Sequence, residues 1–462
     1  MAVTIGPQVQ KSDPEDQRRI EENILSQPQN DTVVQMPKAH GQAGRWIARQ
    51  LTRLMSQMGG PPVTLRSWDD VILYDAGPQS VGTIHFLKRP SLWGMLRNPQ
   101  LCFAEAYVDG TIAIDGELKR ILLALFQSAS PSALKRPHDW LPALFHRRKN
   151  TLTRSRHNVH HHYDIGNDFY RLWLDQQLLY TCAYFPHPSA SLEDAQIAKM
   201  DRVCQKLWLR PGEHVVEAGC GWGALALHMA RKYHVRVTAY NISREQISYA
   251  RERARAEQLD HLVTYVEDDW RNISGEYDAF ASVGMLEHVG KENFVELGDV
   301  IRKCLPADGR GLLHSIGRNR PKQLDAWTEK YIFPGAYPPS LGEMSAIFEG
   351  TPFSILDVEN LRRHYALTLD HWLDRFERHA GAVREMFDER FVRMWRMYLA
   401  ASSATFEAGE LQLFQVVFAP GRSNHHPWSR DGLVPVNGES PVNGTHAERG
   451  PLFVPSPIPF GE

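Results

Sequence analysis

Val215-Val216-Glu217-Ala218-Gly219-Cys220-Gly221-Trp222-Gly223-Ala224 decides how the rest of the chain is read. A β-branched pair runs into an acid and a glycine-rich turn. Leu225-Ala226-Leu227-His228-Met229-Ala230 then continues as a helix. Strand, glycine turn and helix N-terminus form a cradle in which backbone N–H groups and the helix dipole can meet a nucleotide-bearing ligand. Glycines let the backbone approach a ligand that a Cβ would block. Two ligand classes suit the turn. Gly219-x-Gly221-x-x-Ala224 fits a loose dinucleotide fingerprint. The amino-acid end of S-adenosylmethionine would also rest on such glycines. A tight turn with no ligand is the third reading.

Outward from this turn the chain alternates strand and helix. Val235–Asn241, Leu262–Val266, Tyr277–Met285 and Gly311–Ile316 read as the second to fifth strands, and Leu411–Phe418 as a late strand after a long helical region. Ser243 is the N-cap of the helix after the second strand, with Gln246 at the capping-box position. This pattern predicts an α/β, Rossmann-like doubly wound sheet, with ligands outside the carboxyl ends of the strands. Glu217, Asn241, Asp269, Glu287 and His314 fall at or near such ends.

The whole chain narrows the classes. Its 462 residues are 42% apolar and 23% charged, an ordinary soluble composition. The formal net charge of -2 gives no global argument for nucleic-acid binding. Cys102, Cys182, Cys204, Cys220 and Cys304 are odd in number, scattered and without CxxC spacing. They predict no disulfide framework and no zinc site, and favour a reducing, cytoplasmic setting. The N-terminus has no apolar signal region and no stretch approaches about 18 apolar residues, so lipid would be handled from the membrane surface.

Five segments follow. Residues 1–40 are polar and mixed in charge, a disordered tail. Residues 41–135 form a small α+β domain, with a strand at Val81–Leu87 and a helix within Pro99–Gly110 ended by its glycine. Its first helix carries Trp46, Ile47, Leu51, Leu54, Met55 and Met58 at helical spacing and a row of Arg45, Arg49 and Arg53. That helix either lies at a membrane interface or packs on its own domain with solvated arginines. Residues 136–157 are a basic linker that could dock on anionic lipid or remain solvated. Residues 158–420 are the catalytic domain, and 421–462, rich in Pro, Gly, Ser and Asn, are a flexible tail. His160-His161-His162 cannot share one helical face, so no metal is assigned to them. A small domain beside the larger one could support a homodimer.

The cradle can be narrowed further. A dinucleotide wants an acid about 20 residues past the glycines. The second strand ends in Tyr240-Asn241 instead, which counts against a dehydrogenase. Glu217 suits the ammonium of a methionine moiety, and Asp269-Trp270 suits an adenine, an acid for the exocyclic amine beside an aromatic wall.

The chain resembles the cyclopropane-fatty-acyl-phospholipid synthases, a family that includes the mycolic acid cyclopropane synthases. The resemblance is carried by His161–Tyr170, Tyr180-Thr181-Cys182-Ala183-Tyr184-Phe185, Gly219–Gly223, Gly284–Gly290, Tyr331–Gly335 and Leu411–Phe418. It implies a class I S-adenosylmethionine-dependent methyltransferase acting on unsaturated phospholipid acyl chains. The resemblance places the cofactor on Tyr180, Thr181, Gly219, Gly221, Ile242, Gln246, Asp269 and Trp270, to which the residues themselves add Glu217. It also implies a bicarbonate ion held by Cys182, Glu287, His314, Ile316 and Tyr365, the first and fourth through backbone. An alkene attacking a sulfonium methyl leaves a carbocation, so a dry pocket, aromatic faces (Tyr184, Phe169, Tyr331 or Phe333) and a base are required. Two departures stand out. Asn241-Ile242-Ser243 replaces the commoner Thr-Leu-Ser, and Ser402-Ser403 stands where many members carry a Cys. Alternatives are a methyl-branched or methylene product of the same cation, a small-molecule N-methyltransferase, and a lipid-binding protein without activity.

Overall fold

A computed structural model describes residues 42–89, 94, 98–128 and 165–430. The expected tail at 1–40, the basic linker, His160–His162 and the chain beyond 430 lie outside the described residues.

The N-terminal unit is a four-stranded sheet with helices. Its strands are β1 (Thr64–Arg66), β2 (Ile72–Tyr74), β3 (Gly82–Phe86) and β4 (Ile112–Gly116), in spatial order β2-β1-β3-β4. Only β1 and β3 run parallel. Helix α1 (Gln42–Gln57) buries Leu51 and Met55 against this unit and leaves Trp46, Arg49 and Arg53 exposed. Helix α2 (Pro99–Val108) starts with Asn98 capping the Leu101 N–H at 3.1 Å and stops before Gly110, whose φ of +68° suits glycine. Helix α3 (Leu118–Ser128) follows β4.

The larger unit is built on a seven-stranded sheet. Its strands are β5 (His214–Ala218), β6 (Arg236–Asn241), β7 (Val263–Glu267), β8 (Ala279–Val283), β9 (Arg310–Gly317), β10 (Phe353–Asn360) and β11 (Gln412–Pro420), ordered β10-β11-β9-β8-β5-β6-β7. The first five are parallel; β11 lies antiparallel between β9 and β10. The sheet is apolar on both faces, as a doubly wound sheet must be. Val215 packs into the cluster on one face and Val216 into the cluster on the other. The order reverses between β5 and β8, so their carboxyl ends border a crevice.

Strand β10 is absent from the sequence-based expectation. It is an edge strand whose exposed and half-buried positions include Asp357 and Glu359. Such charges protect an edge from unwanted pairing and erase the apolar alternation that marks a strand.

Helices complete the unit: α4 (Asn167–Arg171), α5 (Leu192–Lys206), α6 (Ala224–Tyr233), α7 (Arg244–Ala256), α8 (Phe294–Cys304), α9 (Ala326–Tyr331), α10 (Arg362–Arg378) and α11 (Glu389–Glu407). The last two pack on each other and on the N-terminal unit. One continuous apolar cluster runs from Leu51 and Ile121 through Trp173 and Trp372 to Trp395. Polar ties follow the same path. Lys119 on α3 pairs with Asp370 on α10 and Glu407 on α11, both at 2.8 Å. Arg393 on α11 donates to the Tyr107 and Ile112 carbonyls at 2.6 and 3.2 Å.

Candidate functional site

The three glycines of the turn serve different ends. Gly219 has φ +85°, and a Cβ there would lie 2.9 Å from Met285 Cβ. Its N–H and that of Cys220 both donate to the Tyr240 carbonyl, at 2.9 and 3.0 Å, tying the turn to β6. Gly223, the N-cap of α6, has φ +83° and would meet the Tyr265 hydroxyl at 2.4 Å and Ala250 Cβ at 2.8 Å. Both positions are glycine for packing. Gly221 differs: its φ is +53° and nothing among the described residues lies within 4 Å of a Cβ built on it. That is the open floor of the cradle. Glu217 stands beside it, 2% exposed, with Oε2 making no hydrogen bond among the described residues. Burial pushes its pKa up against the pull of the Lys199 charge and the Ala226 N–H in the first turn of α6.

The second strand closes the floor. Asn241 donates from Nδ2 to the Gly221 carbonyl at 3.2 Å and to Gln246 Oε1 at 2.8 Å. Ser243 caps α7 as expected, accepting from the Gln246 N–H. The capping box does not close, because Asn241 draws the Gln246 side chain toward the turn. Ile242 is half-buried beside it. At the end of β7, Asp269 is 1% exposed and accepts from the Arg271 N–H at 3.0 Å and its guanidinium at 3.1 and 3.3 Å. The guanidinium also lies 4.4 Å over the Trp270 ring. Arg271 is thus a member of the acid–aromatic pair that the sequence reading missed.

Across the switch point lies a second group. Glu287 follows β8 in a single 3-10 turn, is 6% exposed, and accepts from the Ile316 N–H at 2.6 Å. Its Oε2 makes no hydrogen bond among the described residues. Burial raises its pKa to about 7, against its own N–H, the Ile316 N–H and the Ser315 hydroxyl. His314 pairs with Val283 across the strands and lies two residues before Ile316, so the two share a face of β9. The Gln415 amide donates to His314 Nδ1 at 3.0 Å, which leaves the ring proton on Nε2, an atom that is buried and bonds to nothing among the described residues. Burial lowers the imidazole to about 3, so it is neutral. Cys182 is fully buried, its thiol pKa is pushed up by burial, and its Sγ donates to the Ala183 carbonyl at 3.1 Å. The Ala183 N–H donates to Thr368 Oγ1 at 3.0 Å, docking this segment on α10 one turn after Tyr365. Tyr365 is 8% exposed and packs on Phe406 at 4.6 Å. Ser403, in the stretch where a thiol is common in the family, is fully buried and donates to Asp370 at 2.6 Å and the Ala366 carbonyl at 3.2 Å, which makes it a link between α10 and α11.

The four aromatic faces separate. Phe169 is wholly buried among Trp173, Trp395 and Phe391. The Tyr184 face carries Arg202 at 4.4 Å, and that of Tyr331 carries Lys330 at 4.6 Å. Phe333 borders the site: it meets His288, beside Glu287, at 6.0 Å, and Tyr398 at 5.7 Å. Tyr398 in turn shares a 2.7 Å hydroxyl contact with Tyr180.

A second omission is more consequential. Lys199 on α5 is 1% exposed and donates to Thr181 Oγ1 at 2.8 Å, and Gln196 donates to the Thr181 carbonyl at 2.9 Å. The buried stripe of α5 runs Leu192, Ala195, Gln196, Lys199, Met200, Val203. Plotting that 3.6-residue period would have put an amide and an ammonium on the core face.

Residues 150–416, more than half of the chain, match the family described as Mycolic acid cyclopropane synthetase. The chain belongs to that family. Residues 50–136 match a family described as Domain of unknown function (DUF7884). A probable fatty acid methyltransferase of Pseudomonas putida is 33% identical over 384 residues, 80% of this chain and 96% of its own. The cyclopropane-fatty-acyl-phospholipid synthase of Escherichia coli (strain K12) is 36% identical over 336 residues, 71% of this chain and 86% of its own. The crystal structure of mycolic acid cyclopropane synthase CmaA1 complexed with SAH and CTAB aligns with TM-score 0.55 at 30% identity, covering 57% of this chain and 97% of that one. The sheet is accordingly that of an S-adenosylmethionine-dependent methyltransferase.

Proposed function

We propose that this protein transfers a methylene from S-adenosylmethionine to the cis double bond of an unsaturated phospholipid acyl chain, forming a cyclopropane, with bicarbonate as the base. Gly221 leaves room for the cofactor's amino-acid end, beside Glu217. The observation that carries the reading is the pair of buried atoms Glu287 Oε2, in the turn after β8, and His314 Nε2, on the adjoining strand β9, which bond to nothing among the described residues. A neutral imidazole N–H and a carboxyl group that exchanges its proton near neutrality suit a small oxyanion that both accepts and donates hydrogen bonds. Cys182, Ile316 and Tyr365 would line the same place.

When bound, S-adenosylmethionine supplies an electrophilic methyl and bicarbonate a proton acceptor. The electron pair of the double bond goes to the methyl carbon as the old C–S pair leaves with sulfur. Loss of one proton from that former methyl closes the ring. Glu287 and His314 orient the base, and Phe333 and Tyr398 keep water from the cation. Access is from the membrane surface. Among the described residues no helix is long and apolar enough to cross a membrane, and α1 exposes Trp46, Arg49 and Arg53.

Mass spectrometry and NMR of lipids from cells expressing the chain test this. The expected product is heavier by one CH2 and carries high-field ring-methylene protons. A methyl-branched or methylene chain instead favours the second reading, to which the name of the Pseudomonas putida relative lends weight. Methyl transfer to an amine, with none to unsaturated phospholipid vesicles, overturns the lipid reading.

A further inference from the structure

The reaction as proposed gives Lys199 no task. It is 1% exposed, and a buried ammonium is costly unless paired. Among the described residues its Nζ makes one hydrogen bond, to Thr181 Oγ1 at 2.8 Å. An ammonium has three donors, so two directions remain. One turn earlier on the same face, Gln196 donates to the carbonyls of Thr181 and Leu179 at 2.9 and 3.4 Å. The Thr181 backbone and hydroxyl are therefore both held from α5. On its other side the Thr181 methyl sits where a Cβ on Gly284 would come within 2.9 Å of it. Thr181 cannot turn without losing one of these contacts.

A hydroxyl has one O–H donor and two lone pairs. With one lone pair given to Lys199, Thr181 acts as a donor, and its O–H reaches no acceptor among the described residues. Thr181 is half-buried, at the rim of the crevice. Glu217, at the end of β5, lies within electrostatic reach of Lys199 and keeps one oxygen unbonded among the described residues. An α-amino acid carries an ammonium and a carboxylate on one carbon. This crevice presents the matching pair: a carboxylate, and a hydroxyl backed by an ammonium.

We propose that Lys199 is a positioning residue for a carboxylate, acting through Thr181, and that this carboxylate is the amino-acid end of S-adenosylmethionine, whose ammonium goes to Glu217. The proposal rests on the cofactor reading above. Bicarbonate has the same chemistry and would lie beyond Cys182, the next residue. The zwitterion match points to the cofactor.

Calorimetry on the purified full chain, without added bicarbonate, separates the sources. The probes are S-adenosylhomocysteine and S-adenosyl-3-thiopropylamine, the same nucleoside amine without its carboxylate. The wild type prefers the former by about tenfold or more. Lys199→Met, of similar length, removes most of that preference while affinity for the decarboxylated probe holds. Thr181→Val keeps the shape and gives the same narrowing, and so carries the test if Lys199→Met does not fold. Equal loss of both ligands in the folded variants makes Lys199 a packing residue and overturns the proposal. So does an unchanged preference with more bicarbonate needed for half-maximal turnover, which assigns the charge to bicarbonate. A wild type that binds neither probe overturns the cofactor reading and this proposal with it, before any substitution is made.

Discussion

Glu217 at the end of β5 and Glu287 just past the end of the neighbouring parallel strand β8 are both buried, each with one oxygen unbonded among the described residues. They are held differently. Glu217 takes the Ala226 N–H at the start of α6 and feels the Lys199 ammonium. Glu287 takes the Ile316 N–H from β9, and no cation is among the groups that shift it. Burial raises both, but only at Glu217 does a cation oppose it. An arriving cofactor ammonium would add a second. Burial still dominates at both, pushing Glu217 to about 8 and Glu287 to about 7, so a lasting charge on Glu217 needs the ligand's ammonium, whereas Glu287 exchanges its proton near neutrality unaided.

The largest effect that tests this contrast is Glu287→Gln. Product formation should fall about 10³-fold, within the range of a lost acid–base group. S-adenosylhomocysteine affinity by calorimetry should stay nearly unchanged. Loss of affinity to the same degree would make Glu287 a cofactor ligand and erase the contrast. Gly221→Val comes next: its side chain fills the open floor and strains a residue at φ +53°. Calorimetry should register cofactor affinity about 10²-fold weaker. Gly223→Ala separates floor from scaffold. Its Cβ meets Tyr265 and Ala250, so thermal unfolding should report a loss of about 1–3 kcal/mol.

The smallest effect is a pH dependence. The folded chain keeps a proton on Glu287 up to about pH 7, whereas the unfolded chain releases it near the ordinary 4.5. Stability from this group is full below about 4.5 and is lost as pH rises through about 7. Glu287→Gln should therefore gain on the wild type in melting temperature across that window. A constant difference would mean that Glu287 is ionised throughout. His314 has the opposite sign. It stays neutral down to about pH 3 against an ordinary 6.5, so its contribution is lost as pH falls through that interval.

The two halves also differ in how far the sequence revealed them. The cofactor half is mostly backbone on consecutive strands. A buried β-branched run, a glycine turn and a capped helix are local, and β5 to β7 were placed within a residue or two. The other half draws on Cys182, Glu287, the β9 pair His314 and Ile316, and Tyr365, from four separated segments that no local period joins. Only the family resemblance put them together. Lys199 escaped because a lysine on a helix is read as a solvated charge, although its spacing lay on the buried stripe. Strand β10 escaped because its charges mark an edge.

Lys119 has a consequence for anyone who would cut the protein in two. It belongs to the N-terminal unit, yet the carboxylates that hold it stand on the helix that carries Tyr365 and on the helix beside it. The apolar cluster beneath that contact is shared. The change of pattern near residue 135 divides the text of the chain and not its interior. A methyltransferase half expressed alone would expose a raw apolar face and leave two acids without their lysine. The small unit is best regarded as one side of a shared interior.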